Sequence, residues 1–162
     1  MDSFTWTDVQ ALAYIASYSD LRLAFGVDAA AGRQHYAKFG AAEGRSTTFD
    51  GLAYIASSPE LIKAFGADAT AGAAHYIKFG AAEGRSTTFD GLAYIASSPE
   101  LIKAFGADAT AGAAHYIKFG AAEGRSTTFD GLAYIASSPE LIKAFGADAT
   151  AGAAHYIKFG AA

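Results

Sequence analysis

The chain has 162 residues, 52% of them hydrophobic, with a formal net charge of -4, which suits one domain with a core of its own. Its 12 Lys and Arg are outnumbered by 16 Asp and Glu and are scattered singly, which excludes the basic patch of a nucleic-acid binder. No Cys is present, so disulfides and thiolate metal sites are excluded. No apolar run is long enough for a membrane span, and "MDSFTWTDVQ" lacks the basic and apolar regions of a secretion signal.

The elements repeat with a period of 40 residues. The first copy, residues 9–48, shares about two-thirds of its letters with the second. The unit "FDGLAYIASSPELIKAFGADATAGAAHYIKFGAAEGRSTT" then runs over 49–88 and 89–128 without a change, and over 129–162 in shortened form. Natural repeats drift apart because only core and turn positions are constrained. Identity over whole units implies a very recent duplication or a designed array, and points to the second. The first copy, with Trp6, Arg33 and Gln34 of its own, then reads as an N-terminal cap.

Three short helices are predicted in each unit. Helix A is expected at about 49–57, opened by a capping box between Thr47 and Asp50, as Thr7 and Gln10 would do in the first copy. Alternatively Asp50 is itself the N-cap, with Phe49 stapled onto Tyr54. Helix B is expected at 59–65, with Ser58 as N-cap, Pro59 in the first helical position and Gly66 as C-terminal stop. In the first copy Ser19 stands where the later units have Pro, so a less sharp start is expected there. Helix C is expected at 69–79, with Asp68 as N-cap and Gly80 as terminator. "AAEGR" adds one more turn ending at Gly84. Apolar positions do not alternate, so no strand is predicted.

Helices this short need packing to persist in water. Leu52, Ile55 and Ala56 make one face of helix A, and Leu61, Ile62 and Phe65 one face of helix B. Gly72, His75, Tyr76 and Phe79 form one stripe of helix C, widened by Ala73, Ala74 and Ile77. The small residues 71–74 let another helix come close. A unit with five aromatics and little charge buries such faces by stacking on its neighbours. The expected fold is therefore an all-α solenoid of four stacked units, read as a single repeat domain over 1–162.

"YIASSPEL" followed by "HYIKFGAAEGR" resembles bacterial tandem repeats that read Phe-Asp, Tyr-Leu-Ala-x-Asn-Pro-Asp-Leu, then His-Tyr-x-x-x-Gly-x-x-Glu-Gly-Arg. The resemblance covers all four copies. Ser58 replaces the usual Asn and Glu60 the usual Asp, which keeps the cap chemistry. The resemblance implies a small helical repeat of accessory or structural character, from large bacterial proteins that are often secreted or surface-associated. It carries over no activity.

The repeated polar residues are the candidates for chemistry. His35, His75, His115 and His155 lie one period apart, and helices stacked about 8–10 Å apart cannot bring two of them to the distance of about 2 Å that a shared ion needs. They are read as structural core. Serines and threonines cluster at caps and in "RSTT", without a nucleophile elbow. Asp50, Glu60 and Asp68 fall at helix starts, where the dipole favours an acid. No catalysis, cofactor or metal is expected. Glu43, Arg45, Glu83, Arg85, Glu123 and Arg125 are read as junction residues, each Arg bonding helix-end carbonyls or a carboxylate across the junction. Tyr54, Tyr76, Tyr94, Tyr116, Tyr134 and Tyr156 are the candidate ligand face, for a peptide, a protein or a glycan. The expected function is a non-catalytic scaffold, with a binding module as the alternative. The last copy carries no connector, so an apolar surface left there is expected to promote self-association through the C-terminal end.

Overall fold

A computed structural model describes residues 5–161. Helices repeat four times in the order α1 (Asp8–Ala16), α2 (Ser19–Phe25), α3 (Ala29–His35); α4 (Gly51–Ala56), α5 (Pro59–Phe65), α6 (Ala69–His75); α7 (Gly91–Ala96), α8 (Pro99–Phe105), α9 (Ala109–His115); and α10 (Gly131–Ala136), α11 (Pro139–Phe145), α12 (Ala149–His155). A five-residue π-helical turn follows the third helix of every copy, at Tyr36–Gly40, Tyr76–Gly80, Tyr116–Gly120 and Tyr156–Gly160. No strand occurs among the described residues. The protein is an all-α repeat. Its chain separates into two compact units, Met1–Thr88 and Phe89–Ala162, with the boundary on a repeat boundary and two copies in each.

Local chemistry accounts for the helix ends. In the second copy Asp50 is the N-cap and accepts from Leu52 N–H at 2.9 Å and Ala53 N–H at 3.2 Å. Phe49 lies beside Tyr54, ring centroids 5.8 Å apart, as a hydrophobic staple places them. Of the two predicted openings it is the staple that forms, and helix A starts at Gly51 rather than 49. The first copy does form the capping box: Gln10 N–H donates to Thr7 Oγ1 and Thr7 N–H donates to Gln10 Oε1. Its helix is accordingly longer, nine residues against six. Helix B spans the predicted 59–65, and Gly66 ends it with φ +59°. Ser58 holds the N-cap place without capping, because its hydroxyl donates to Glu60 instead, at 3.4 Å.

Helix C departs from the prediction. It is α-helical only to His75 and then widens: Ala81 N–H donates to Tyr76 C=O, five residues back, at 3.0 Å. The extra residue in the turn shifts the register by one. Gly80 therefore takes the buried place the α-helical stripe assigns to Phe79, and Phe79 swings out to 52% exposure. The helical segment does end at Gly80, where packing also demands a glycine. A Cβ there would overlap the Tyr54 hydroxyl. The chain turns away at Gly84, φ +67°.

Within a copy, helix A crosses helix C at close range. A Cβ on Gly72 would stand 2.8 Å from Gly51 O and 2.9 Å from Ile55 Cδ1. Small residues at both crossing points let the backbones meet, as the run at 71–74 suggests. Between copies, in each unit, the third helix of the later copy packs on the first helix of the earlier one: α6 on α1, and α12 on α7. In the first unit Ala73 is buried among Leu12, Tyr14, Ile15 and Leu21, with Ile77 alongside. In the second unit Ile157 is buried among Tyr94, Ile95, Ala96 and Leu101.

Candidate functional site

In every copy a tyrosine of helix A meets a histidine of helix C. Tyr54 is fully buried. Its hydroxyl is hydrogen-bonded to His75 Nδ1 at 2.8 Å, where the α-helix gives way to the π turn. The same pair occurs as Tyr14–His35 at 3.0 Å, Tyr94–His115 at 2.8 Å and Tyr134–His155 at 2.9 Å. Burial pushes the phenol pKa up at Tyr14, Tyr54 and Tyr94. Gly80 makes room for the hydroxyl and His75 supplies its partner, so Tyr54 acts as a peg that locks helix C onto helix A.

The four histidines are half-buried, each between two phenylalanine rings of its own copy. His75 lies 5.3 Å from Phe65 and 5.4 Å from Phe79, ring centre to ring centre. Among the described residues no group of three or more His, Asp and Glu side chains is placed to hold a metal ion.

The tyrosines expected from sequence to form one face differ in exposure. Tyr54 and Tyr94 present no accessible ring. Tyr76, Tyr116 and Tyr156 are half-buried and stack on Phe49, Phe89 and Phe129, each at 4.7 Å. Tyr134 is half-buried. The exposed aromatic in every copy is instead a phenylalanine: Phe39, Phe79, Phe119 and Phe159 are 52–66% exposed. The α-helical periodicity hid them, because the π turn that exposes them has no signature in it.

Each junction arginine pairs with carboxylates of its own copy rather than across to the next. Arg45 donates to Asp20 at 2.9 and 3.1 Å and to Glu43 at 2.7 Å. Arg85 reaches Glu60 at 3.2 Å and Glu83, and Arg125 reaches Glu100 at 3.2 Å and Glu123. The arginine hydrogen bond holds the Asp20 and Glu100 carboxyls below the usual carboxylate range. These pairs tie the start of helix B to the turn after helix C. All are solvent-facing, so each stabilises only slightly.

The connector itself is held by a residue not singled out from sequence. The single Ser57 Oγ proton is shared between two carbonyls, Tyr54 C=O at 2.6 Å and Ser86 C=O at 2.8 Å; Ser97 repeats the arrangement, with Ser126 C=O at 2.9 Å. In the first copy Ser17 Oγ accepts from Thr48 N–H and Phe49 N–H instead. The clue available was a Ser closing helix A in every copy.

No described helix is long and apolar enough to cross a membrane. No family model, no curated protein and no solved structure matches this chain.

Proposed function

We propose that this chain is a non-catalytic structural scaffold, a consensus or designed array of helical repeats related to the bacterial tandem repeats its motif resembles. One observation carries the reading: the same interface recurs in both compact units, with the third helix of a later copy seated on the first helix of the earlier one. A chain whose copies meet through one repeated contact can be lengthened copy by copy. The polar chemistry supports the same reading. Asp50 and Asp68 cap helices, Glu60 and Glu83 bind Arg85, and His75 holds Tyr54. Arrays with one more and one fewer internal copy test it. Urea midpoints should climb with copy number; midpoints independent of copy number would mean that copies fold singly, and would overturn the scaffold.

The alternative is a binding module, and it moves from the tyrosines to the phenylalanines. One half-exposed Phe beside a histidine in every copy offers a repeated apolar contact for an extended peptide. A peptide and glycan array, probed with the chain and with a version carrying Ser at 79 and 119, decides it. Binding lost in that version supports the module, and no binding by either chain removes it.

A further inference from the structure

The direction of the tyrosine–histidine bond follows from its surroundings. Tyr14, Tyr54 and Tyr94 are fully buried. Among the described residues each of their hydroxyls has one hydrogen-bond partner, Nδ1 of the histidine 21 residues further on. A phenol donates or accepts, and a neutral imidazole nitrogen does either according to its tautomer. Were Nδ1 the donor, the phenol proton would be buried without an acceptor, which is the costlier arrangement. With the phenol donating, Nδ1 accepts and Nε2 carries the ring proton. No protein group meets Nε2 of His75, and no buried side-chain nitrogen or oxygen among the described residues lacks a partner, so Nε2 reaches solvent.

That arrangement holds only for a neutral imidazole. Proton uptake makes both ring nitrogens donors, and the phenol proton loses the one acceptor it had. The neighbours offer no compensation. Around His75 stand Tyr54 from α4, Phe65 from α5 and Phe79 from the π turn, none of them charged. No carboxylate lies within ion-pair distance of a described histidine. Arg85 and Glu83 act on the Tyr54 hydroxyl in opposite senses and bond each other. Glu60 is bound to Arg85, and Lys63 and Lys78 are exposed. On the first copy, which packs against α6, Asp8 is bonded to Arg33 and Arg22 lies over the Tyr76 ring. Arg125 with Glu123 repeats the arrangement at Tyr94, and Arg45 with Glu43 and Asp20 at Tyr14. The two phenylalanine rings beside each histidine favour a cation, but a half-exposed contact of that kind is worth less than a buried hydroxyl left unpaired.

We propose that the buried pairs Tyr14–His35, Tyr54–His75 and Tyr94–His115 are proton-sensitive latches: each neutral imidazole accepts the tyrosine proton and locks helix C onto helix A, and protonation of the imidazole releases the lock. The sign follows from linkage. The lock is present while the imidazoles are neutral and is lost as pH falls through the range where imidazole titrates, about 6.5 for a free side chain. Carboxylates titrate lower, at about 4, and stay ionised through that window.

Two measurements on the full chain test it. At about pH 7.5 the histidine nitrogen-15 shifts should show Nδ1 of His35, His75 and His115 unprotonated and Nε2 protonated. Protonated Nδ1 in these residues overturns the proposal, whatever the variants do. In urea, the unfolding equilibrium constant should rise about tenfold between about pH 7.5 and about pH 5.5. Tyr54→Phe combined with Tyr94→Phe keeps both rings and removes both hydroxyls. It should lower the midpoint at the higher pH, yet cut the rise to about twofold, the share left to Tyr14–His35. A double variant that loses stability but keeps the whole rise would show the pairs to be packing alone and overturn the latch. A wild-type chain whose stability is the same at both pH values does so too.

Discussion

α7 and α10 are spelled with the same six letters, Gly-Leu-Ala-Tyr-Ile-Ala, and they are built alike. In each the preceding Asp caps the third amide at 2.9 Å, and the following Ser donates to the tyrosine carbonyl at 2.6 Å. In each the tyrosine hydroxyl meets the histidine of its own copy. What differs is the other side. Tyr94 is fully buried and Ala96 is 6% exposed, whereas Tyr134 is half-buried and Ala136 is open. Caps and the tyrosine peg are therefore properties of one copy. Burial of helix A is a property of two.

The largest effect that sharpens this comparison is truncation of the peg. Tyr94→Ala should destabilise the second unit by about 3–5 kcal/mol, the usual range for removing a buried aromatic. Tyr134→Ala should have less than half that effect, because its outer side already faces water. Urea denaturation of both variants checks it, and equal losses would show that covering by the next copy adds nothing.

Alkaline pH should act on the same contrast. Tyr14, Tyr54 and Tyr94 have phenol pKa values raised by burial. The stability this represents is fully present below the unfolded value of about 10 and is lost as pH rises through the higher folded values. Denaturation midpoints should fall above that point, together with the rise of tyrosinate absorbance. Tyr94→Phe should reduce the alkaline loss.

The smallest effect concerns the ion pairs. Arg125→Ala should lower the midpoint slightly, and more than Lys103→Ala, since Arg125 bonds Glu100 and Glu123 whereas Lys103 is an exposed residue of α8. Arg125 holds the Glu100 carboxyl below its ordinary value. That contribution is present above the unfolded carboxylate pKa and is lost as pH falls through the folded one. The gap between the two variants should close in acid. A gap unchanged at low pH would mean that Arg125 acts through packing instead.

Much of each copy was legible because its signals are local. Pro59 at a first turn, Gly66 after a last one, and Asp68 ahead of an Ala-rich run each act through atoms a few residues away. The period of 40 and the identity of the copies made stacking the expected means of burial. The opening of helix A stood between two local solutions. Thr7–Gln10 took one and Asp50 the other, because Gln10 can return a hydrogen bond to the cap backbone, whereas Asp50 caps its own helix.

By itself, then, the sequence determined the helical class, the four-fold repetition, the Asp68 cap and Gly66 stop, and the excess of apolar surface that single copies cannot bury. Tertiary structure alone decided which aromatic is peg and which is surface. The Tyr54 hydroxyl needs both His75 and the space at Gly80, and the turn between them widens by one residue, which carries Phe79 outward. It also decided that the arginines close on their own copy, since Asp20, Glu60 and Glu100 lie 25 residues before their partners. Finally, it decided which copy of an identical helix is covered. Six identical letters carry identical caps and propensities, but the water excluded from α7 is excluded by Ile157 and its neighbours on another helix.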